Sequence, residues 1–193
     1  FPGNIWEDDK LAGKHLPSGR YFFGFPDIVA GGCTESGINC YLFRKSHTVL
    51  GEADGSISQR LKKTAGIMEE AGLAPVEEKK IIDWLQYRFL LSAILPGLVS
   101  KAGSARLFAS SKTLVRQYLA ALREGQRVCR KRGFEKRKLF PFSHFCIPPA
   151  ILQVLVRQRM DDEVQAATEA SVKHMPEEKK KLYSDVLQSG KEL

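Results

Sequence analysis

The stretch His47-Thr48-Val49-Leu50-Gly51-Glu52-Ala53-Asp54-Gly55 decides how this chain is organised. It begins with β-branched and apolar residues that favour a strand, and it ends in residues that favour a turn. From Ser56 onward, apolar residues recur every three or four positions, which is the period of an α-helix. The sequence therefore predicts that a β region ends near residue 52 and that a helical region follows it.

The β region is expected to contain several short strands. Residues 1–47 are rich in Gly, Pro and aromatic residues, a composition in which helix does not dominate. We expect one strand at Tyr21–Phe25, which Pro26 would end, and two more at Ile38–Phe43 and His47–Leu50. Such strands need partners in a sheet to be stable.

The helical region begins with two contrasting helices. Apolar residues on one face, such as Ile57 and Leu61, predict an amphipathic helix that ends at Gly72. The next segment, from Glu77 to about Ser100, is apolar on nearly every side and predicts a buried central helix. Pro96-Gly97 is expected to kink or end this helix, and a bend there would shape a pocket.

A third helix, capped by Ser110 or Ser111 and ended by Gly133, is predicted next. Its inward face is formed by Leu114, Tyr118, Leu122 and Gly125. Three more helices are expected at Ala150–Arg159, Asp161–His174 and Pro176–Gln188. The predicted fold class is mainly α: a helical bundle preceded by a short β segment.

Composition excludes several classes of protein. Among the 193 residues, 43% are hydrophobic and 27% are charged, which predicts an ordered globular fold. The apolar tract Phe89–Val99 is interrupted by Ser92 and Pro96, so no membrane span is expected. The four cysteines form no CxxC pair and have no histidines at zinc-finger spacing, so we expect no metal site and reduced thiols in the cytoplasm.

A basic segment is the most uneven feature of the charge distribution. The chain carries a net charge of +8, and Arg123–Lys138 alone carries +6. A solvated helix face is the favoured interpretation, and phosphate binding, by NADP or by a nucleic acid, is the alternative. Only Phe134 and Phe140 could stack on bases, so single-strand recognition is not expected. The nearby His144 and Cys146 are interpreted as packing residues, because two ligands do not make a metal site.

Four motifs in a fixed order resemble one known family. They are the stretch from His47 to Gly55, Met68-Glu69-Glu70-Ala71-Gly72-Leu73, Trp84, and Arg123-Glu124-Gly125 to Arg132-Gly133. Together they resemble the C-terminal half of the ketopantoate reductase (2-dehydropantoate 2-reductase) family, over roughly residues 20 to 133.

The resemblance implies a domain organisation. In this family a Rossmann domain binds NADPH, and an all-α C-terminal domain, similar to that of 6-phosphogluconate dehydrogenases, closes over the substrate and often forms a dimer. Residues 1–52 would be the tail of the Rossmann domain, and residues 53–193 would be the helical substrate and dimerisation domain. The first half of the protein would lie outside this chain, since its sequence contains no GxGxxG nucleotide fingerprint.

The resemblance also implies a reaction and a site. The family reduces ketopantoate to pantoate in pantothenate biosynthesis with NADPH, so a small 2-oxoacid substrate and a homodimer are expected, and this chain alone is expected to be inactive. Its catalytic pattern is a Trp, a Lys two residues later and an Asn four residues further. Counted from Trp84, these positions are Gln86 and Leu90. Gln86 donates a hydrogen bond but supplies neither positive charge nor proton, so Arg88 is the alternative cation, ahead of Lys79 and Lys80.

Two other interpretations stay open, one from the resemblance and one from the charge distribution. Gln86 and Leu90 at the catalytic positions favour a divergent member of the family that serves as a non-catalytic dimerisation or binding module. The basic segment leaves a nucleic-acid-binding module as a minor hypothesis. A later family motif, with an Asp followed by a Thr-Glu pair, has only an imperfectly spaced counterpart in Asp161-Asp162-Glu163 and Thr168-Glu169.

Overall fold

The computed structural model describes residues 6, 8–17, 19–27, 29–34, 37–43, 47–134, 148–159, 162–173 and 176–193. Over these ranges the protein is mainly helical, with a three-stranded sheet and a separate two-stranded sheet. The elements are α1 (Asp8–His15), β1 (Phe23–Pro26), β2 (Val29–Thr34), β3 (Gly37–Leu42), β4 (Thr48–Gly51), α2 (Gln59–Glu70), β5 (Pro75–Glu77), α3 (Ile81–Ala102), α4 (Ala105–Ser110), α5 (Lys112–Lys131), α6 (Pro149–Arg159), α7 (Asp162–Lys173) and α8 (Pro176–Lys191).

The elements fold into two compact units. The first comprises residues 1–30 and 42–89, and the second comprises residues 31–41 and 90–193. Helix α3 contributes its first nine residues to the first unit and the remainder to the second. The predicted domain boundary at residue 52 stays a prediction. Within the described ranges, no helix combines the length and the apolar character that crossing a bilayer requires.

The first unit is organised around strand β4. It lies between β1, which is antiparallel to it, and β5, which is parallel to it. Parallel neighbours require a crossover connection, and α2 provides it. Val49 and Leu50 of β4 and Phe23 of β1 are buried, which explains why this apolar stretch forms the central strand. Ser58 caps α2, accepting a hydrogen bond from the Leu61 amide at 3.2 Å.

A buried carboxylate fixes the loop between β4 and α2. Glu52 is 5% exposed, and its carboxylate accepts hydrogen bonds from the Ser58 hydroxyl and from the guanidinium of Arg60. The same guanidinium donates to the carbonyls of Gly19 and Tyr21, joining α2 to the segment before β1. The hydrogen bond from Arg60 holds the pKa of Glu52 below its usual value, against the opposing effect of burial.

Acidification should therefore weaken this loop. Because the folded-state pKa of Glu52 is lowered, its contribution to stability is present above the unfolded-state pKa of about 4.3 and is lost as pH falls through the folded-state value. We expect Glu52→Gln to cost about 2 kcal/mol at pH 7, as for hydrogen bonds to charged groups. Urea unfolding from pH 7 to pH 3 should show this difference shrinking on acidification. A difference that is independent of pH would contradict this prediction, and Glu69→Gln, on the exposed surface of α2, is the control.

The second unit is built on α5 and the second half of α3. Helix α5 buries one face, including Tyr118, Leu122 and Gly125, and it packs against α6 and α8. Gly125 allows a close approach, since a Cβ atom there would lie 2.7 Å from Cδ2 of Leu90 on α3. Ser111 caps α5, as predicted, by accepting a hydrogen bond from the Leu114 amide at 3.3 Å.

Most of the predicted elements are confirmed, including the long apolar helix predicted to reach about Ser100. Of the two outcomes expected at Pro96-Gly97, a kink or an end, the structure excludes the end, because α3 continues to Ala102. A proline removes one backbone hydrogen bond, and the last turn still buries Val99, which is 2% exposed. This burial explains why the helix continues.

Candidate functional site

Trp84, Gln86 and Arg88, which the resemblance implicates, lie in the first half of α3, within the first unit. Trp84 is 5% exposed, and its ring lies 6.2 Å from that of Phe25 on β1, measured between centroids. Its size and burial make it a core residue of this unit. Trp84 identifies this helix in the sequence, and in the structure its side chain packs in the core.

Gln86 has no exposed surface. Its side-chain amide donates a hydrogen bond of 2.9 Å to the backbone carbonyl of Trp6. Trp6 is itself buried, and its ring lies 5.0 Å from that of Phe89. The amide of Gln86 thus satisfies a buried carbonyl on the N-terminal segment, and in this conformation no solvent-exposed atom of Gln86 is available to a substrate.

Arg88 is held by contacts on two sides. Its guanidinium donates to Oδ1 of Asp27 at 2.9 Å through Nε, and NH2 lies 2.7 Å from the same oxygen. The guanidinium also lies over the Phe25 ring, 4.4 Å from its centroid. Its side chain keeps 19% exposure, so Arg88 is the more accessible of the two predicted site residues.

None of the other positions that were considered for the site adds a polar side chain to α3. Leu90 is fully buried in the second unit, against Gly125. Lys79 and Lys80 are exposed and precede α3. The backbone amide of Lys80 donates to the carboxylate of Glu78 at 2.8 Å, in the turn that precedes the helix.

Shifted pKa values occur in the loop after β4 and in the first turn of α2. The pKa of Asp54 is lowered because its carboxylate accepts a hydrogen bond from the Ser56 amide, at 2.9 Å. The pKa of Arg60 is raised by its hydrogen bond to Glu52. Both effects come from contacts that order the loop, which is a structural cause of such shifts.

The late acidic motif has a structural role in the second unit. Glu169 accepts hydrogen bonds from the Ala105 amide at 3.2 Å and from the Gln165 side chain at 3.1 Å, so it caps the start of α4. The hydroxyl of Thr168 donates to the Val164 carbonyl, one turn earlier, at 2.7 Å. Asp161 lies outside the described residues.

The basic segment is partly described. Arg123, Arg127 and Arg130 are exposed on α5, and Lys131 donates to the Leu193 carbonyl at 3.1 Å. Arg132 lies over the ring of Phe134 at 5.2 Å. The rest of the segment, with Phe140, His144 and Cys146, lies outside the described residues. The exposed arginines fit the predicted solvated helix face.

The described residues contain no cluster of three or more His, Cys, Asp or Glu side chains that could hold a metal ion. Cys40 is exposed and Cys129 is buried, and both are free thiols. No protein-family model matches this chain, and no curated protein sequence matches it. The resemblance to ketopantoate reductases therefore stays a prediction from the quoted motifs.

A feature that the catalytic pattern did not indicate is a cavity of about 510 Å³ in the second unit. Pro96 and Gly97 line it, at the position where the sequence predicted a pocket-shaping bend. The rest of its lining comes from other residues of α3 and from α5, α7 and α8, which only the fold brings together. The Pro-Gly pair was therefore the only local signal for it.

Proposed function

We propose that this chain is the C-terminal part of an NADPH-dependent 2-oxoacid reductase resembling 2-dehydropantoate 2-reductase, which converts ketopantoate to pantoate for pantothenate biosynthesis. The observation that carries the proposal is the order of elements. Strand β4 is followed by α2, by the long, largely buried α3 with Trp84 in its first turns, and by α5, which meets α3 closely at Gly125. This order agrees with the tail of a cofactor domain followed by a helical substrate domain.

In such a reductase the nicotinamide would deliver hydride to the keto carbon, and a protein group would stabilise the charge that develops on the oxygen. NADP would be bound by a Rossmann domain outside this chain. Arg88 is a part-exposed cation in the first half of α3 and is the better candidate for that stabilisation. Gln86 offers only an amide, which is already bonded to Trp6.

A second candidate function is a non-catalytic dimerisation or binding module derived from the same fold. The observation that favours it is that both predicted site residues already have bonding partners within the protein. Gln86 satisfies the Trp6 carbonyl, and Arg88 is paired with Asp27. Residues with such fixed partners contribute to stability whether or not a substrate is bound.

Binding of NADPH tests the reductase proposal. We expect the longest product of the source gene to bind NADPH in a fluorescence or calorimetric titration, and the 193-residue chain alone to bind none. The physical reason is that a Rossmann domain binds the dinucleotide's pyrophosphate on a glycine-rich turn at a helix N-terminus, and this sequence contains no such fingerprint. Absence of binding by the longer product would contradict the reductase proposal.

Turnover in the same sample separates the two candidates. Oxidation of NADPH that depends on ketopantoate, followed at the absorbance of the reduced nicotinamide, would support the enzyme. Binding of NADPH without turnover of ketopantoate or other small 2-oxoacids would support the non-catalytic module. The isolated chain, which is expected to lack both properties, is the matched control.

A further inference from the structure

The cavity in the second unit has the size and lining of a small-molecule site. Its volume of about 510 Å³ falls within the range of roughly 300 to 1,000 Å³ that is typical of ligand pockets. The residues that line it are Ala93, Ile94, Pro96, Gly97, Leu98, Ser100, Gln117, Ala121, Val172, Lys179, Lys180 and Tyr183. Four helices contribute to this lining, so the cavity belongs to the helical assembly and not to one surface groove.

The cationic residues of the lining come from one helix. Helices α3, α5 and α7 supply mainly aliphatic residues, among them Ile94, Leu98 and Val172, together with the uncharged polar residues Ser100 and Gln117. Helix α8 supplies Lys179, Lys180 and Tyr183. A ligand that fits this division has an aliphatic body and a polar group at one end, because each part then meets matching chemistry.

The charged residues that line the cavity indicate whether the polar end of the ligand is an anion or a cation. No Asp or Glu lines the cavity over the described residues. Lys180 is paired with Glu177, at 2.7 Å, whereas Lys179 is half-buried and forms no ion pair with the described part of the chain. Two lysines line the cavity, and one of them already has an anionic partner, so the lining matches a singly charged anion better than a multiply charged phosphate.

We propose that this cavity binds an aliphatic monocarboxylate, whose chain lies against α3, α5 and α7 and whose carboxylate is paired with Lys179. The site goes beyond the proposed function, because all its residues belong to the second unit, whereas Gln86 and Arg88 belong to the first. It therefore requires no cofactor, and its test is independent of NADPH binding.

Calorimetric titration of the 193-residue chain with decanoate tests the proposal, with decanol and decyltrimethylammonium as matched probes. We expect decanoate to bind more tightly than decanol, and the cation to bind least. Ala121→Phe should abolish decanoate binding, because Ala121 lines the cavity and a phenyl ring would fill it. A thermal unfolding curve of this variant is the control that tests whether it is folded.

Two lysine variants on α8 locate the carboxylate. Lys179→Gln should weaken decanoate binding about tenfold, which corresponds to about 1.4 kcal/mol, and should leave decanol binding unchanged. Lys181→Gln is the control, since Lys181 pairs with Asp185 and does not line the cavity. Equal affinities for decanoate and the cation, or decanoate binding that survives Ala121→Phe, would overturn the proposal. The proposal would also be overturned if the chain bound no decanoate, self-associated, and became monomeric on Ala121→Phe. That result would assign the cavity to a second copy of the chain.

Discussion

Replacing Gln86 with lysine is expected to destabilise the protein by about 3 kcal/mol, the scale for an uncompensated buried charge. Gln86 has no exposed surface, and its described partner is the uncharged carbonyl of Trp6. A lysine ammonium at this position could still donate to that carbonyl, but its charge would be taken out of water into the buried interior. The substitution that restores the family's residue should therefore damage the fold before it can restore any chemistry.

The pH dependence of this variant provides a sharper measurement. Burial lowers the pKa of a lysine, so the unfolded state would bind more protons than the folded state, and stability should rise with pH. We expect the deficit of Gln86→Lys, measured by urea unfolding, to shrink between pH 7 and pH 9.5. Wild-type protein should show no matching gain from this position, since glutamine does not titrate.

Two control variants separate the effect of the new charge on stability from the effect of losing one hydrogen bond. Gln86→Met keeps the volume but removes the hydrogen bond to the Trp6 carbonyl, which should cost about 1 to 2 kcal/mol with no dependence on pH. Gln188→Lys places the same new charge on the exposed end of α8 and should change stability little. If Gln86→Lys proved as stable as wild type and raised ketopantoate turnover in the longer product, position 86 would belong to a working site and its structural interpretation would be wrong.

The elements that could be predicted from the sequence are those with strong local signals. Helix α5 has a long apolar face, a serine cap at Ser111 and Gly133 just after its end, and its bounds agree with the prediction. Helices α6, α7 and α8 were located by proline breaks and by the helical period. In each case the signal lies within the segment itself, so tertiary contacts were not needed to find it.

The elements that could not be predicted depend on partners distant in sequence. Strand β5 has only three residues, and pairing with β4 determines its structure. Helix α4 has six residues, too few for a helical period, although Ser104 caps it. Helix α1 and strand β2 lie in a segment whose glycines and prolines obscured any regular pattern.

Partners distant in sequence also explain why the contacts of Gln86 and Arg88 could not be predicted. The sequence placed Gln86 and Arg88 on α3 but gave no sign of their partners. Trp6 precedes Gln86 by 80 positions, and Asp27 precedes Arg88 by 61. Only the fold brings these groups together, and their contacts change how the two α3 residues are interpreted.

Replacing Gly51 with alanine is expected to destabilise the protein by about 3 kcal/mol, the upper end of the usual range for overpacking. A Cβ atom at this position would lie 2.2 Å from the Glu78 carbonyl oxygen and 2.6 Å from Cβ of Ile81. Neither neighbour moves easily. The amide of Glu78 is bonded to the Leu50 carbonyl at 2.7 Å, and Ile81 has no exposed surface. Urea unfolding of the variant measures the effect.

Gly66→Ala is the matched control, since Gly66 lies in the interior of α2 with no atom within 4 Å of an added Cβ. Alanine should stabilise the helix there by about 0.5 to 1 kcal/mol, so the two variants should shift the unfolding midpoint in opposite directions. The φ angle of Gly51 is not positive, so crowding alone explains why glycine is needed. If Gly51→Ala unfolded at the same urea concentration as wild type, α3 would have to start farther from β4 than it does here. The Leu50-Gly51-Glu52 motif would then need an explanation other than packing.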